Sequence, residues 1–277
     1  MSDPRHADGT LDPKTTAWLD ALVARHTAAL SPPQFFKAIR ALSARYVESR
    51  GQLPDRSPTD SAGKRAAFAG FYAPLHFLTM REIVRALTAD VPALKQIETI
   101  VDLGCGTGAA SAAWALECER PSSIHGIDND TWPLGEASWN WRQLNVRGSG
   151  RRGNLVDAAH HLLERPDRAS GRRSLEGTAV LLAWSVNELS EAQRDRLFGA
   201  LTRLAEQRAL ILVIEPIARG ITPWWPQWVE AAAITAPASR AQDWKFASAL
   251  PPVLAQISDA TGFKDRALSA RSLLIRH

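Results

Sequence analysis

Hydrophobic and polar positions follow two different periods along this chain. In its first third, apolar residues recur at three- and four-residue spacing over residues 11–30 and 33–49, which predicts two amphipathic helices. A third helical stretch is predicted over about residues 66–87, where Pro74 either kinks the helix or starts its second half. Residues 48–64 are rich in Pro, Ser, Asp and Gly, which predicts a loop or a mobile flap.

The rest of the chain alternates short apolar runs with helical stretches. Strands are predicted at residues 99–103, 124–128, 179–184, 209–215 and 269–275. A surface turn over residues 147–154 is expected to precede a short further strand, and residues 263–275 to form a pair of strands at the sheet's far edge. Strands that alternate with helices predict an α/β fold with a doubly wound, mostly parallel sheet covered on both faces.

Composition narrows the class of protein. A chain of 277 residues fits one large domain, or a catalytic domain with an appended helical segment. The formal charge of +4 permits an RNA partner without requiring one. With only Cys105 and Cys118, neither a disulfide framework nor a four-cysteine metal site is available, so no metal is expected. The absence of a long apolar run or a signal-peptide core predicts a soluble, cytoplasmic protein without a membrane partner.

A candidate ligand-binding turn follows the first predicted strand, with the sequence Asp-Leu-Gly-Cys-Gly-Thr-Gly over residues 102–108. Glycine tolerates positive φ and has no Cβ, so backbone N–H groups can wrap a nucleoside at the opening of the next helix, residues 109–118. Asp102 is costly inside a strand end unless it is paired or orients the turn and a polar ligand. The second strand ends in Asp128, where an acid of a doubly wound sheet accepts hydrogen bonds from ribose hydroxyls.

Two cofactor classes fit this turn. Gly104, Gly106 and Ala109 satisfy the loose G-x-G-x-x-G/A pattern of dinucleotide-binding proteins, so a nicotinamide enzyme is one alternative and a relic fold without cofactor another. Gly108 completes a D-x-G-x-G-x-G arrangement. That arrangement resembles class I S-adenosylmethionine-dependent methyltransferases.

The resemblance implies a seven-stranded Rossmann-like methyltransferase fold, with residues 1–92 as an N-terminal helical cap and residues 93–277 as the S-adenosylmethionine-binding domain. In that family the turn holds the methionine part of the cofactor and the acid of the second strand binds its ribose. A polar residue after the third strand often meets the adenine amino group, a place that Asn154 would take unless it is a plain turn residue. The implied cofactor-binding residues are Asp102, Gly104, Cys105, Gly106, Gly108, Asp128, Asn129, Asn154, Leu155 and Trp184.

Four residues are candidates for catalysis. Asn187 and Glu188 follow the fourth strand, where methyltransferases place groups that touch sulfonium and substrate, and they could bind the substrate or act as general base. Glu188 could equally be an acid at a helix N-terminus. Tyr72 and His76 lie in the segment that normally covers the cofactor cleft. Either they contact the methionine carboxylate or the substrate, or they are packed core residues. The D-P-P-Y and N-P-P-Y patterns of exocyclic-amine methylation are absent.

The methyl acceptor has two interpretations. Three tryptophans in residues 222–228 form either an aromatic lid over a flat or apolar substrate or part of the core. Five arginines are candidates for clamping the phosphates of RNA, unless they are only solvated surface residues: Arg147, Arg151, Arg152, Arg172 and Arg173. A small aromatic or apolar metabolite is the favoured acceptor, and RNA is the alternative.

A finer resemblance covers much of the chain. The order of the segments 42–46, 67–74, 101–111, 187–189 and 214–216 is similar to that of the ribosomal small-subunit methyltransferase-like family. Members typically carry a metal-binding cysteine cluster, which this chain has no means of building. The alternative function is therefore an rRNA- or ribosome-associated methyltransferase, or a non-catalytic ribosome assembly factor.

Overall fold

A computed structural model describes residues 11–48, 59–164, 174–218, 220–247, 249–262 and 268–277. The helices are α1 (Pro13–Thr27), α2 (Pro32–Glu48), α3 (Ala62–Ala67), α4 (Ala73–Thr88), α5 (Ala109–Glu117), α6 (Thr131–Gln143), α7 (Leu155–Glu164), α8 (Glu191–Glu206), α9 (Trp225–Thr235) and α10 (Pro252–Thr261). The strands are β1 (Thr99–Leu103), β2 (Ser123–Asp128), β3 (Arg147–Arg152), β4 (Thr178–Ala183), β5 (Leu210–Glu215), β6 (Arg240–Phe246) and β7 (Leu268–Ile275).

The chain divides into two compact units. A helical unit contains Met1–Thr79 and Lys245–Leu268, and a sheet unit contains Met80–Trp244 and Ser269–His277. Residues 80–92 thus group with the sheet, whereas the sequence predicts a boundary at 92. None of the helices in the described residues is both long enough and apolar enough to cross a membrane.

The helical unit follows the predicted amphipathic pattern closely. The Asp12 side chain caps α1 by accepting a hydrogen bond from the Thr15 N–H at 3.0 Å, and the ring centroids of Trp18 and Phe77 lie 4.7 Å apart in its core. The predicted helix over residues 66–87 is interrupted by a π-helical turn, Phe68–Tyr72. Pro74 is the second residue of α4, directly after the π-helical turn, so it lies at the start of the second half of the predicted stretch.

The sheet unit confirms the predicted doubly wound, mostly parallel sheet of seven strands. Its strand order is β3-β2-β1-β4-β5-β7-β6. Strands β1 to β5 are parallel to one another, and β7 is antiparallel to β5. The first five strands therefore end at one edge of the sheet, which collects the residues that follow them.

Two strands differ from the sequence prediction. Residues 147–152, expected to form a turn, are the edge strand β3, and every residue of β3 is exposed. Of the strand pair predicted in residues 263–275, the described residues contain β7, and residues 263–267 lie outside them. The seventh strand of the sheet is β6, which the sequence analysis did not predict. Trp244 is the one buried residue of β6. Edge strands of this kind bury too few side chains to show a two-residue apolar period.

The glycines of β3 have a packing role. A Cβ at Gly148 would lie 2.4 Å from the Trp141 ring, and one at Gly150 would lie 3.0 Å from Leu134. Both partners belong to α6. The edge strand is therefore glycine-rich because α6 packs directly on its backbone.

The tryptophan-rich segment is part of the core. Trp224, Trp225 and Trp228 are all at least nine-tenths buried, and α9 begins at Trp225. The Trp228 ring centroid lies 4.9 Å from that of Phe198 on α8. Of the two interpretations of residues 222–228, core packing is the one that the structure shows.

Candidate functional site

The doubly wound sheet creates a crevice at its switch point. Strands β1 and β4 are neighbours, and the chain continues from β1 toward β2 and from β4 toward β5 on opposite sides. Ligands of open α/β sheets bind beyond the carboxyl ends of the strands at such a point. The Ser185 hydroxyl donates to the Leu103 carbonyl at 3.0 Å and so ties the end of β4 to the end of β1.

The glycine turn lies at this edge, and its three glycines have different roles. Gly104, Gly106 and Gly108 have φ of 78°, 51° and 69°, a region that favours glycine. A Cβ would lie 2.6 Å from Ser185 Cβ at Gly104 and 2.6 Å from Trp141 Nε1 at Gly108. At Gly106 it would meet nothing within 4 Å. The side of the turn at Gly106 is therefore open.

Helix α6 holds the turn from behind. Asn140 Nδ2 donates to the Thr107 carbonyl at 2.9 Å, and Trp141 Nε1 donates to the Gly108 carbonyl at 3.1 Å. Both side chains are buried. The sequence prediction included neither residue, and the one usable signal was the group of tryptophans that follows Asp128.

The backbone amides of the turn are partly used within the protein. The N–H groups of Gly104 and Cys105 both donate to the Ile127 carbonyl, at 2.8 and 2.9 Å, and that of Gly108 donates to the Cys105 carbonyl. Helix α5 begins directly afterwards with no side-chain cap. The donors left for a ligand therefore lie at the start of α5, and not all along the turn.

Asp128 is hydrogen-bonded to the glycine turn, and its predicted contact with a ribose stays a prediction. Its Oδ2 accepts the Gly106 N–H at 2.9 Å, and its Oδ1 accepts the Asp130 N–H at 3.0 Å. Burial raises the pKa of Asp128, while these two hydrogen bonds oppose the shift. Each carboxylate oxygen has a second lone pair, so the half-buried Asp128 side chain can still accept two ribose hydroxyls.

Asp102 is a buried carboxyl without a hydrogen bond. It is 1% exposed, and neither of its oxygens has a partner among the described residues. Burial raises the pKa of Asp102 to about 7; the nearby Ser111 hydroxyl lowers it and the charge of Asp128 raises it. The Ser111 hydroxyl donates its own hydrogen bond to the Gly108 carbonyl at 3.3 Å.

The segment after β4 adopts a strained turn held by a buried acid. Trp184 has φ of 58°, which is rare for a bulky residue. Glu215, at the end of β5, accepts the N–H groups of Val186 and Asn187 on one oxygen, at 2.9 and 3.2 Å. The prediction had not placed Glu215 in the site, although an acid that ends an apolar strand was a usable signal.

Glu215 is an acid whose pKa is raised by its surroundings. Its side chain is fully buried, and its second carboxyl oxygen has no partner in the described part of the chain. Burial raises the pKa of Glu215 to about 8, against the two backbone hydrogen bonds, and the charge of Glu188 adds to the increase. Glu215 is therefore largely protonated at neutral pH.

Glu188 is the last residue of this turn. It ends a short 3-10 segment, Val186–Glu188, and α8 begins later, with Ser190 and Gln193 forming the predicted capping box. Glu188 is thus outside the helix, and the N-terminal dipole of α8 does not explain it. Its side chain is exposed, and the neighbouring protein and the charge of Asp128 raise its pKa.

The site as a whole is acidic, although the protein carries a formal charge of +4. Four carboxyl groups stand at the ends of β1, β2, β4 and β5 or just beyond them, namely Asp102, Asp128, Glu188 and Glu215. Among the residues described, no Lys or Arg side chain forms a salt bridge with any of them. The described residues also contain no group of three side chains arranged to hold a metal ion. An organic cation is the ligand that this electrostatic environment favours.

The other predicted cofactor residues surround the turn in different ways. Leu155 approaches the position of a Cβ at Gly104 to 3.3 Å. The Cys105 thiol points inward against Gly126, and burial raises its pKa well above the usual range. Asn129 is exposed and its carbonyl accepts a hydrogen bond from Arg152. Leu155 is thus the one whose side chain lies against the turn.

Asn154 caps a helix. Its Oδ1 accepts the N–H groups of Val156 and Asp157 at 2.8 and 3.2 Å, at the start of α7. This is the oxygen that would accept a hydrogen bond from an adenine amino group. The cap explains the residue by itself, and a contact with adenine stays a prediction.

Tyr72 and His76 belong to the helical unit. Burial raises the pKa of Tyr72 to about 12, with a hydrogen bond to Ser43 opposing the shift. Burial lowers the pKa of His76 to about 3, so its imidazole is neutral at physiological pH. Its ring lies 6.0 Å from that of Phe68. A neutral imidazole can donate or accept a hydrogen bond, and the predicted contact of either residue with cofactor or substrate stays a prediction.

Comparisons with known proteins give similarity of fold only. No protein-family model matches the sequence, and no curated protein matches it either. Similar solved structures are the bifunctional kinase-methyltransferase WbdD (15% identity, 73% of this chain, TM-score 0.44), the plantazolicin methyltransferase BpumL in complex with SAH (11%, 86%, 0.44) and a putative O-methyltransferase from Klebsiella pneumoniae (12%, 95%, 0.46).

The lengths of these proteins differ. The chain spans 38% of WbdD, 95% of BpumL and 99% of the Klebsiella protein. All three are methyltransferases by description. At such identities and TM-scores, they carry no conclusion about the activity of this chain.

Proposed function

We propose that this protein is an S-adenosylmethionine-dependent methyltransferase. The observation that carries the proposal is the set of carboxyl groups around a glycine turn at the switch point, without a paired Lys or Arg among the described residues. S-adenosylmethionine has an ammonium and a sulfonium group, so it brings positive charge to these carboxylates. When bound, it supplies an activated methyl group.

The residues of the turn fit this cofactor. Asp102 lacks a hydrogen-bond partner in the described structure, and a cationic ligand nearby is what a buried carboxylate requires. Gly106 leaves space beside the turn, and Asp128 has two lone pairs left for ribose hydroxyls. Asp102, Gly106 and Asp128 would thus hold the cofactor, with Gly104 and Gly108 keeping the turn in shape.

The acidic site disfavours the nicotinamide alternative. A dinucleotide brings a pyrophosphate with two negative charges to the glycine turn, next to the buried Asp102. Helix α5 offers its N-terminus to an anion, but that partial charge is smaller than the charge of the nearby carboxylates. We therefore expect no binding of NAD under conditions in which S-adenosylmethionine binds.

A small aromatic or apolar metabolite is the acceptor that we propose. The alternative is RNA, favoured by the exposed Arg147, Arg151 and Arg152 on edge strand β3, whereas Arg172 and Arg173 lie outside the described residues. Affinity that falls steeply with added salt would indicate RNA, because phosphate contacts release counterions. A non-catalytic ribosome assembly factor would bind the cofactor without forming product.

Asp128→Ala tests the cofactor assignment. The change removes the ribose acceptor and the hydrogen bond to the Gly106 N–H, so we expect S-adenosylmethionine affinity to fall at least about 100-fold, as for loss of charged hydrogen bonds. Calorimetric titration with S-adenosylmethionine, S-adenosylhomocysteine and NAD measures this. Asp195→Ala, an exposed acid on α8, is the control. Equal affinity in wild type and Asp128→Ala would contradict the assignment.

A further inference from the structure

A second cavity lies at the opposite edge of the sheet from the glycine turn. Its volume is about 560 Å³, and its floor is apolar, with the buried Ile97 and Ala209 and the half-buried Leu210. These residues lie just before β1 and at the start of β5, so the cavity is at the amino ends of the parallel strands. Strand β1 has five residues, which separates the cavity from the glycine turn by about 17 Å. The cavity therefore shares no residue with the proposed cofactor site.

The cavity is acidic at the end formed by β1 and β4. Glu98 directly precedes β1, and Glu176 lies two residues before β4. The Glu98 N–H donates to the Gly177 carbonyl at 2.8 Å, and its carboxyl carbon lies 3.6 Å from the position of a Cβ at Gly177. The Glu98 carboxyl group is therefore beside the first residues of β4. Both glutamates are exposed, and neither forms a salt bridge with another described residue.

The cavity is basic at the end formed by β5 and β7. Arg208 lies two residues before β5, and Arg276 directly follows β7. Because Ile211 pairs with Ile275 in the antiparallel ladder, Arg276 is level with the start of β5. Neither arginine forms a salt bridge within the described part of the chain, and Nε of the half-buried Arg276 has no hydrogen-bond partner there.

Arg208 occupies a position that favours glycine. Its φ is 71°, and it follows the last residues of α8. The N–H groups of Arg208 and Ala209 donate to the carbonyls of Ala205 and Leu204, at 2.8 and 3.1 Å, which is the hydrogen-bond pattern of a Schellman motif. Glycine adopts this left-handed conformation without steric cost, whereas a long side chain is strained there. An arginine therefore costs stability at this position, while it places a guanidinium group at the cavity.

The two ends of the cavity are too far apart to neutralise each other. Adjacent strands are spaced by about 4.8 Å, so the pair β1–β4 and the pair β5–β7 are about 10 Å apart in the sheet. A salt bridge needs charged atoms within about 4 Å. Glu119 and Arg120 also line the cavity, and their adjacent charges cancel in sum. A ligand that spans the cavity can meet both charged ends.

We propose that this cavity binds a linear zwitterionic small molecule, with an amine at one end, a carboxylate at the other and an apolar chain between them. The amine lies at Glu98, the carboxylate accepts hydrogen bonds from Arg208 and Arg276, and the chain covers the apolar floor. The carboxylate gives Arg276 the anionic partner that it lacks among the described residues, and burial of the chain removes apolar area from water. The inference does not depend on the proposed methyltransferase function.

The compound 8-aminooctanoate tests the proposal, because its amine and carboxylate lie about 10 Å apart when the chain is extended. Octanoate and octylamine have the same chain and one charge each, and 4-aminobutyrate has both charges at about half the distance. We would measure dissociation constants with the whole protein by following backbone amide signals in NMR titrations. The amides of Gly177 and Ala209 report on the cavity, and that of Gly106 reports on the glycine turn.

We expect 8-aminooctanoate to bind at least about tenfold more tightly than octanoate, octylamine or 4-aminobutyrate, as for one charge-assisted hydrogen bond. The signals of Gly177 and Ala209 should shift, and that of Gly106 should not. Equal affinities for the four compounds would overturn the proposal. So would titrations in which the signals of Gly177 and Ala209 do not respond to 8-aminooctanoate.

Single substitutions test the two ends separately. Glu98→Gln should lower the affinity for 8-aminooctanoate about tenfold and leave that for octanoate unchanged, whereas Arg276→Gln should lower both. Arg208→Gly should also lower both, although it relieves the backbone, so its urea midpoint should equal or exceed that of wild type. Arg203→Gln, an exposed arginine of α8 outside the cavity, is the control. Affinities in Glu98→Gln and Arg208→Gly equal to those of the control would refute binding between the two charged ends.

Discussion

Gly106→Ala is expected to fold and to lose S-adenosylmethionine binding, whereas Gly108→Ala is expected to lose stability. Both residues have positive φ, so either change costs about 1–2 kcal/mol from the left-handed backbone alone. Their surroundings differ, because a Cβ meets nothing within 4 Å at Gly106 and lies 2.6 Å from Trp141 at Gly108. The pair therefore separates binding from packing within one turn.

Trp141 has no room to relax in Gly108→Ala. A Cβ at Gly126 would lie 2.8 Å from its ring, and one at Gly148 would lie 2.4 Å away, so backbone already touches the ring on several sides. Overpacking of this kind adds about 1–3 kcal/mol, for a total loss of about 2–5 kcal/mol in the free energy of unfolding. Urea unfolding measures this loss, and Gly199→Ala, in α8 with open space around it, is the control.

In Gly106→Ala the methyl group occupies the open side of the turn. If the cofactor passes there, its affinity should fall at least about 100-fold, since a blocked close approach removes several contacts at once. Calorimetry with S-adenosylmethionine on the folded variant measures this. Unchanged affinity in Gly106→Ala would show that the open side of the turn is not the cofactor path, whatever the stability of Gly108→Ala.

The second large expected effect is a loss of stability as the pH rises through neutrality. The folded protein holds protons on Asp102 and Glu215, whose pKa values are about 7 and 8, against ordinary values of 3.8 and 4.5. The contribution is complete below the ordinary values and is lost as the pH rises through the folded values. Each such proton changes the free energy of unfolding by about 1.4 kcal/mol per pH unit.

The other groups with large pKa shifts titrate outside the pH range in which the carboxyl groups lose their protons. The lowered pKa of His76, about 3, acts in the opposite direction but only below its ordinary value of 6.5. The raised pKa of Tyr72 and that of Cys105 act at more alkaline pH. Urea unfolding between about pH 6.5 and pH 8 therefore reports mainly on Asp102 and Glu215.

Glu215→Gln isolates the largest contribution. The amide is neutral at every pH and keeps an oxygen for the two backbone N–H groups, so the slope of stability against pH should decrease by about 1.4 kcal/mol per pH unit. Glu206→Gln, an exposed acid on α8, should leave the slope unchanged. A wild-type slope equal to that of Glu215→Gln would mean that Glu215 is ionised in the folded protein.

Cofactor binding should follow the opposite trend. A cationic ligand favours ionised carboxylates, so S-adenosylmethionine affinity should increase from about pH 6 to pH 8, by up to about tenfold per pH unit for each proton released. Calorimetric titrations in two buffers with different ionisation enthalpies count the protons. Binding without proton release would argue that the acids of the site do not meet the ligand's charge.

By itself, the sequence determined the α/β class, the doubly wound sheet, the glycine turn and Asp128. These depend on local patterns: apolar runs of strand length, a glycine at alternate positions, and an acid where a buried strand ends. Such patterns persist in the fold because residues 102–108 and 123–128 each form one uninterrupted local structure. The capping box at Ser190 is another case, since both of its partners lie within one turn of helix.

Only the tertiary structure decided which residues surround that turn and what they do. Asn140 and Trp141 bond to it from α6, and Glu215 holds the turn before Glu188 from β5, each across more than 25 residues of chain. The hydrophobic pattern also did not predict the edge strands β3 and β6, because these strands bury few side chains. Contacts between distant segments, together with burial, determine the roles of these residues and the raised pKa values. Neither property can be predicted from the local sequence.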